Sequence, residues 1–317
     1  MRPFRSWLSN SFERFVAIKR AGGAQYITQE RLLGDFDRFL QAHTPEPPLA
    51  RETLSDYLAS LERLSPRGRQ NVVDVLWQAL TYARSKGERI EPLPLKPPSP
   101  PPGFRLREPR LVSVSEIQAI LIQARRLEPV ARIRPATYST LLGLLFATGL
   151  RIGETLALDV GDVDLEEGLL TVRRGKFGKK RVLPLHRSTT NAIEQYVLDP
   201  RRPIGTGSIH PLFVSGLRRR LSCNTVLPTF RRLCIAAGVA EPTPRLHDLR
   251  HSFVVLRVER WYREGKDVNV LLPVLSTYLG HVSVENTRSY LRANSSLLME
   301  ASQRFSDRTV ELDGVFQ

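Results

Sequence analysis

Residues 135–154 read PATYSTLLGLLFATGLRIGE, and this stretch sets the character of the larger part of the chain. Its first part is strongly apolar, with Pro135 placed for a first helical turn and Gly149 just past the last one, which predicts a buried helix. Arg151 then begins a second, short helix. Glu154 lies three residues on along the same face, where its carboxylate can hold the Arg151 guanidinium by hydrogen bonds. Taken alone, this is an ordinary helical corner with an ion pair.

Two β-rich runs follow this corner, LLTV at 169–172 and RVLPL at 181–185. They flank a turn rich in glycine and lysine, which predicts a β-hairpin. Lys176, Lys179 and Lys180 then lie at its tip. Basic hairpin tips often only touch the DNA backbone, but a lysine that enters a groove can also donate a proton to a leaving oxygen.

The other patterns of the larger part are helical. The segment SVSEIQAILIQARRL opens with a capping box, in which Ser113 pairs with Glu116. Apolar spacing predicts further helices at 189–197, 225–237, 247–264 and 268–279. The larger part is therefore predicted to be mainly α with a small β-hairpin or sheet, an α+β fold.

A proline-rich segment, EPLPLKPPSPPPGF at 91–104, marks the clearest boundary in the chain. Proline removes backbone donors and favours extended conformations, so this segment is predicted to be a semi-rigid linker. It separates residues 1–90, where four short amphipathic patterns predict a small helical bundle, from residues 105–317. We therefore expect two domains.

The composition points to an anionic partner. The chain has 317 residues, and 47 Lys and Arg against 32 Asp and Glu give a net charge of +15. Such an excess attracts polyanions such as nucleic acid, although a basic surface that serves only solubility is the alternative.

Two cysteines, Cys223 and Cys234, are too few for a disulfide scaffold or a zinc ribbon. There is no signal-peptide pattern and no apolar run long enough for a membrane span, so we expect a soluble, cytoplasmic protein without membrane partners.

Two further stretches carry reactive side chains. In RLHDLRHSF, His247 and Arg250 are three residues apart on one helix face, so a single phosphate can contact both. In LGHVSVENTRSYL, Gly280 ends a helix, His281 follows in a turn, and Tyr290 lies on the next helix. A tyrosine hydroxyl is a weak nucleophile at its usual pKa of about 10, and nearby arginines favour its reactive phenolate form. Each stretch alone also has a purely structural interpretation.

Together these residues resemble the tyrosine recombinases, the phage-integrase family. The resemblance rests on ATGLRIGE, GKFGKKRVLPL, HDLRHSF and LGHVSVENTRSYL, and it extends over about residues 112–291. All six family positions are filled, in order, by Arg151, Lys176, His247, Arg250, His281 and Tyr290. The front half also looks like the core-binding domain of that family, so residues 1–90 are expected to bind DNA and residues 105–317 to form the catalytic domain with a C-terminal tail.

The resemblance implies a role for each catalytic position. Tyr290 attacks a DNA phosphate to give a 3′-phosphotyrosyl bond and a free 5′-hydroxyl. Arg151, Arg250 and His281 contact the non-bridging oxygens of that phosphate. His247 accepts the proton of the tyrosine.

It also implies how the leaving group and the first arginine are assisted. Lys176 protonates the leaving oxygen, and Glu154 orients Arg151. The family uses no metal and no nucleotide cofactor. One departure is that Phe177 stands where the family has glycine after the lysine, so Lys179 and Lys180 stay open as alternatives for the acid.

The resemblance also implies partners and leaves rivals open. The family acts on double-stranded DNA as a tetramer on two sites, through a Holliday junction. The stretches SFERFVAIKRAGG and KFGKKRVLPLH also look like recombinases of bacterial transposable elements, some of which are encoded in groups, and this resemblance implies other recombinases of the same element as further partners. A type IB topoisomerase and a non-catalytic DNA-binding partner of another recombinase are the two alternatives. Integration, transposition, inversion and resolution all use the same residues. Residues near the site that we interpret as DNA contacts or packing are Arg245, His251 and Arg288.

Overall fold

The structure, a computed structural model, describes residues 3–44, 46–93, 108–129, 132–173, 180–203 and 210–280. The chain separates into two compact units, Met1–Arg107 and Glu108–Gln317. Most of the predicted linker lies outside the described residues. So do three of the predicted catalytic residues, Lys176, His281 and Tyr290.

The N-terminal unit contains the four helices that the sequence predicts. They are α1 (Ser9–Ala21), α2 (Ile27–His43), α3 (Arg51–Ser60) and α4 (Pro66–Ser85). The start of α4 shows why the sequence places it there: the Ser65 hydroxyl accepts a hydrogen bond from the Gly68 N–H at 3.2 Å, and Pro66 occupies the first turn. The apolar faces of the helices meet in one core, in which Phe12, Phe36 and Leu40 are fully buried.

The second unit is mainly helical with a small sheet, as predicted. Its elements in chain order are α5 (Val114–Arg125), α6 (Arg134–Thr148), α7 (Ile152–Ala157), a 3₁₀ turn (Val160–Asp162), β1 (Val163–Asp164), β2 (Leu169–Val172), β3 (Arg181–Pro184), α8 (Arg187–Val197), α9 (Cys223–Ala236), α10 (Leu246–Arg263) and α11 (Val268–Leu279). The predicted capping box at the start of α5 is present, since the Glu116 N–H donates to the Ser113 hydroxyl and the Ser113 N–H donates to the Glu116 carboxylate. The predicted helices begin and end within two residues of those observed.

The sheet has three antiparallel strands in the order β1-β2-β3. The predicted hairpin is its β2–β3 pair, in which Leu170 lies opposite Leu183 and Val172 opposite Arg181. The strand β1 was not predicted, because it has only two residues and is too short to show an alternating pattern.

Helix α6 is the centre of the second unit. It packs against α5, α8 and α10, and its buried side chains include Leu141, Leu142 and Leu145. The helix ends at Gly149, which has a left-handed backbone with φ of 63°. A Cβ on that glycine would lie 2.5 Å from Cδ1 of Phe253, so the absence of a side chain also lets α10 approach the turn.

Helices α10 and α11 pack against each other through a separate apolar cluster. Val254, Val255 and Val258 of α10 meet Leu272 and Leu275 of α11. This packing brings the end of α11 beside the turn that follows α6. No helix in the described ranges is long and apolar enough to cross a membrane.

Candidate active site

The C-terminal end of α11 is where the predicted arginines meet. The carbonyl oxygen of Leu279 accepts a hydrogen bond from Nη2 of Arg250 at 2.9 Å and one from Nη1 of Arg151 at 3.5 Å. The neighbouring carbonyl, that of Tyr278, accepts one from Nε of Arg181 at 2.9 Å. Carbonyls in the last turn of a helix lack helical partners and carry partial negative charge, so they attract cations. Arginines from three elements therefore converge on one helix end.

Arg250 is the most deeply buried of these arginines, with 1% of its surface exposed. Besides its bond to Leu279, its Nη1 donates to the carbonyl oxygen of Gly149 at 2.7 Å. One guanidinium on α10 thus ties the α6–α7 turn to the end of α11. The sequence predicted an anion as the partner of Arg250, whereas these two bonds show backbone carbonyls in contact with its guanidinium.

Arg151 sits at the N-terminal cap of α7, where Glu154 holds it in two ways. Nη1 of Arg151 donates to Oε1 of Glu154 at 2.9 Å, and the Arg151 N–H donates to Oε2 at 3.1 Å. The ion pair predicted from the spacing is therefore present. The Arg151 side chain remains 30% exposed, so its outer face is accessible to a ligand from solvent.

Arg181 is a residue of the site that the sequence did not predict. Its Nη2 and Nη1 donate to the two oxygens of Glu154, at 2.8 and 3.2 Å, and its side chain is 12% exposed. The sequence pattern indicated only that Arg181 begins a strand. A weak signal was available, since Arg181 shares a strand face with Leu183, which is buried, and an arginine on such a face needs an acidic partner.

Glu154 is a buried carboxylate between two arginines. Burial alone would raise its pKa, but the hydrogen bonds and charges of Arg181, together with those of Arg151, outweigh burial and lower the pKa below its usual value. Glu154 is therefore ionised at neutral pH. The group of Arg151, Arg181, Arg250 and Glu154 carries a net positive charge, which suits an anionic ligand.

His247 lies on the first turn of α10, three residues before Arg250, and is exposed to solvent. Although part of its surface is exposed, the protein around the ring partly withdraws it from water, and this lowers its pKa first. The charge of Arg250 lowers the pKa further, while Asp248 acts in the opposite direction. Arg151 also lowers this pKa, which is the electrostatic effect of a nearby cation. The imidazole is therefore neutral near pH 7 and can accept a proton.

The start of α10 is fixed by a buried acid. Asp248 is fully buried, and its carboxylate accepts the N–H of Arg245 at 2.7 Å and Nη2 of Arg245 at 2.9 Å. Arg245 is thus a partner of this helix cap. His251 is 2% exposed, so of the two interpretations given to it, packing is the one that the structure supports.

The predicted site is thus described in part. Arg151, Glu154 and Arg250 are brought together around the end of α11, with His247 on the adjoining turn of α10. Lys176, His281 and Tyr290 lie outside the described residues, although His281 directly follows Gly280 in the chain. Within the described ranges, no three or more His, Cys, Asp and Glu side chains are grouped as ligands for a metal ion.

Comparisons with known proteins identify the family of this chain. The model of the phage integrase family matches residues 112–296. The chain belongs to the phage integrase family. A relative described as an integrase/recombinase, y4rB of Sinorhizobium fredii, is 34% identical over 313 residues, which cover 96% of this chain and 98% of the relative.

Solved structures of recombinases have the same fold. The integrase of transposon Tn1549, in complex with transposon right end DNA, matches with a TM-score of 0.64 at 16% identity and covers 93% of this chain and 99% of that one. A lambda integrase tetramer bound to a Holliday junction matches with a TM-score of 0.59 at 17% identity, covering 89% and 76%. As a member of this family the protein is a tyrosine recombinase, an enzyme of site-specific DNA recombination.

Proposed function

We propose that this recombinase cleaves and rejoins double-stranded DNA through a 3′-phosphotyrosyl intermediate on Tyr290. The observation that supports this most is the convergence of Arg151 and Arg250 on the carbonyl of Leu279. That carbonyl lies two residues before His281 and on the segment that leads to Tyr290. Two arginines therefore meet at the point in the chain where the segment that carries Tyr290 begins, which supports the proposal.

In this proposal the arginines act on the scissile phosphate. Arg151 presents its exposed face to one non-bridging oxygen, and Glu154 keeps its guanidinium oriented. Arg250 and His281 contact the other oxygen positions, and their positive charge stabilises the pentacoordinate transition state. Since Arg250 is 1% exposed, the DNA-bound protein differs from this structure around the end of α11.

The cleavage step moves two protons, one from the attacking oxygen and one to the leaving oxygen. The Tyr290 oxygen bonds to phosphorus while the bond from phosphorus to the 5′-oxygen breaks. His247, which is neutral near pH 7, takes the tyrosine proton, and Lys176 gives a proton to the 5′-oxygen. Attack by a 5′-hydroxyl on the phosphotyrosine reverses these steps and rejoins the strand, so the bond energy is conserved without a nucleotide cofactor.

The remaining parts of the proposal concern DNA binding and assembly. The net charge of +15 suits a DNA backbone. We assign residues 1–90 to DNA binding, 91–104 to a linker and 105–317 to catalysis. By analogy with the lambda integrase tetramer on a Holliday junction, four subunits act on two DNA sites, with other recombinases of the same mobile element as further partners. The DNA cleavage and rejoining reaction takes place in the cytoplasm.

The test is to trap the covalent intermediate. Nicked duplexes tiled across the DNA that flanks the gene are incubated with wild-type protein, Tyr290→Phe and a control, Tyr82→Phe, in the other unit. We expect a covalent protein–DNA adduct with wild type and the control but not with Tyr290→Phe. The adduct should retain a label placed on the DNA on the 5′ side of the break, because a 3′-phosphotyrosyl bond joins the protein to that side. DNA binding without any adduct would contradict catalysis and support a non-catalytic partner. Relaxation of a plasmid that lacks these sequences would support the topoisomerase alternative.

A further inference from the structure

We propose that Arg181 is a positioning residue that keeps Arg151 available to the DNA phosphate. This inference rests on the proposed function and adds a residue to it. Arg181 acts by sharing the buried carboxylate of Glu154 and by bracing strand β3 against the end of α11. It does not itself touch the DNA.

Arg181 offsets the charge of the Glu154 carboxylate. Glu154 is 7% exposed, and a buried carboxylate paired with Arg151 alone would largely neutralise it. Arg181 makes two side-chain hydrogen bonds to that carboxylate, whereas Arg151 makes one. Two arginines on one glutamate leave a net positive charge, so Glu154 can orient Arg151 without cancelling its attraction for a phosphate.

The planar guanidinium of Arg181 bonds to two other elements at once. Nη1 and Nη2 of Arg181 face the carboxylate on α7, while Nε donates to the Tyr278 carbonyl on α11. A planar fork can make these three bonds at once, but a lysine ammonium at the same position cannot reproduce them. Arg181 therefore joins β3, α7 and α11 through one rigid group.

A third, independent observation is the glycine that ends α11. A Cβ on Gly280 would lie 2.8 Å from Nη1 of Arg181, and its φ of 65° also favours glycine. The residue before His281 is thus shaped to accommodate the Arg181 side chain. Arg181 also opens the strand that returns from the basic turn carrying Lys176, so the same brace fixes the base of that hairpin.

The experiment measures single-turnover cleavage of the trapped nicked duplex at saturating DNA. Arg181→Gln and Arg181→Lys are compared with Arg260→Gln, which removes a charge from an exposed arginine ten residues, about 15 Å, along α10 from Arg250. We expect Arg181→Gln to slow cleavage about 100-fold, because small displacements of a catalytic group have effects of that size. The cleavage rate of Arg181→Lys should lie between those of wild type and Arg181→Gln. The affinity of both variants for the same duplex should stay at the wild-type level.

A double-mutant cycle separates positioning from general stability. If Arg181 acts through Glu154, adding Glu154→Gln to Arg181→Gln causes no further loss of cleavage rate or restores part of it. The reason is that the double variant no longer has a Glu154 carboxylate whose charge Arg181 must offset. A neutral methylphosphonate at the scissile position should likewise reduce the defect of Arg181→Gln, which a loosened fold would not do. Additive losses in the cycle, an undiminished defect of Arg181→Gln on the methylphosphonate duplex, or an equal loss in Arg260→Gln would overturn the proposal, as would full activity of Arg181→Gln. Absence of an adduct with wild-type protein would instead refute the proposed function, and the role of Arg181 would fall with it.

Discussion

The two units of this recombinase bury different kinds of side chain. In the described part of the N-terminal unit the buried residues are mostly aliphatic and aromatic, and Asp37 is the one acidic or basic residue among them, held by the N–H groups of Arg5 and Ser6. The catalytic unit also has an apolar core, but its described part buries several acidic and basic side chains. These are Glu154, Asp162, Asp248, Arg250, His251 and Glu259.

This difference separates stability from function. Withdrawing a charge from water costs several kcal/mol, and a buried ion pair often adds no net stability over an apolar pair of the same size. We therefore propose that the buried charges around the end of α11 serve the chemistry rather than stability. The N-terminal unit should respond to substitutions mainly through its stability, whereas the site around α11 should respond mainly through its rate.

The largest expected effect is that of Arg250→Lys. Lysine keeps the charge but cannot bind the carbonyls of Gly149 and Leu279 from one planar group. The proposed contact of residue 250 with the scissile phosphate therefore loses its geometry. We expect single-turnover cleavage to fall about 100- to 1,000-fold. Arg260→Lys, on the exposed end of the same helix, is the matched control, and an equal loss in both variants would break the comparison.

His247 gives a smaller effect with a defined pH dependence. Its pKa lies below the usual 6.5, so the neutral, proton-accepting form persists to more acidic pH than in a free histidine. Cleavage should be level near neutral pH and decline only once the pH falls through the lowered value. His247→Gln should slow cleavage about 100-fold and remove this acidic limb, as measured in rate–pH profiles. A limb that persists in His247→Gln would assign the base to another group.

The ion pairs of Glu154 can be tested through the pH dependence of protein stability. Its folded-state pKa is lowered from 4.5, so the carboxylate contributes stability that is fully present above pH 4.5 and is lost as the pH falls through the folded value. In urea unfolding at neutral pH, the free energy of unfolding should be larger for wild type than for Glu154→Gln. This difference should narrow as the pH falls below 4.5. A gap that is constant with pH would show that the ion pairs with Arg151 and Arg181 do not act as the structure indicates.

The smallest effect on chemistry is expected for Phe36→Leu in the N-terminal unit. Phe36 is fully buried against Tyr57, with ring centroids 4.8 Å apart, so the smaller side chain should lower the free energy of unfolding by about 1–2 kcal/mol. Cleavage by the folded protein at saturating DNA should not change. A loss of cleavage as large as that of His247→Gln would mean that the two units are not separable in this way.

Local patterns predicted most of the fold. Helical spacing and end signals such as Gly149 and Gly280 located the helices, because those signals act within a few residues. The pairing of Arg151 with Glu154 was predicted for the same reason, since both lie on one helical turn. The two-residue strand β1 was missed because so short a strand carries no periodic signal.

Contacts between distant parts of the chain could not be predicted in this way. Arg250 binds the carbonyl of Gly149, 101 residues away, and Arg181 binds the carbonyl of Tyr278, 97 residues away. Backbone carbonyls leave no trace in a sequence, so neither bond has a local signature. Lys176, His281 and Tyr290 stay predictions, since they lie outside the described residues.

The central claim is that the site at the end of α11 delivers Tyr290 to a DNA phosphate. The most direct measurement is to digest the trapped wild-type adduct with protease and nuclease and to identify the nucleotide-bearing peptide by mass spectrometry. The account predicts a nucleotide joined through its 3′-phosphate to Tyr290, in the peptide that follows Arg288. A nucleotide on another residue, or one joined through a 5′-phosphate, would contradict it.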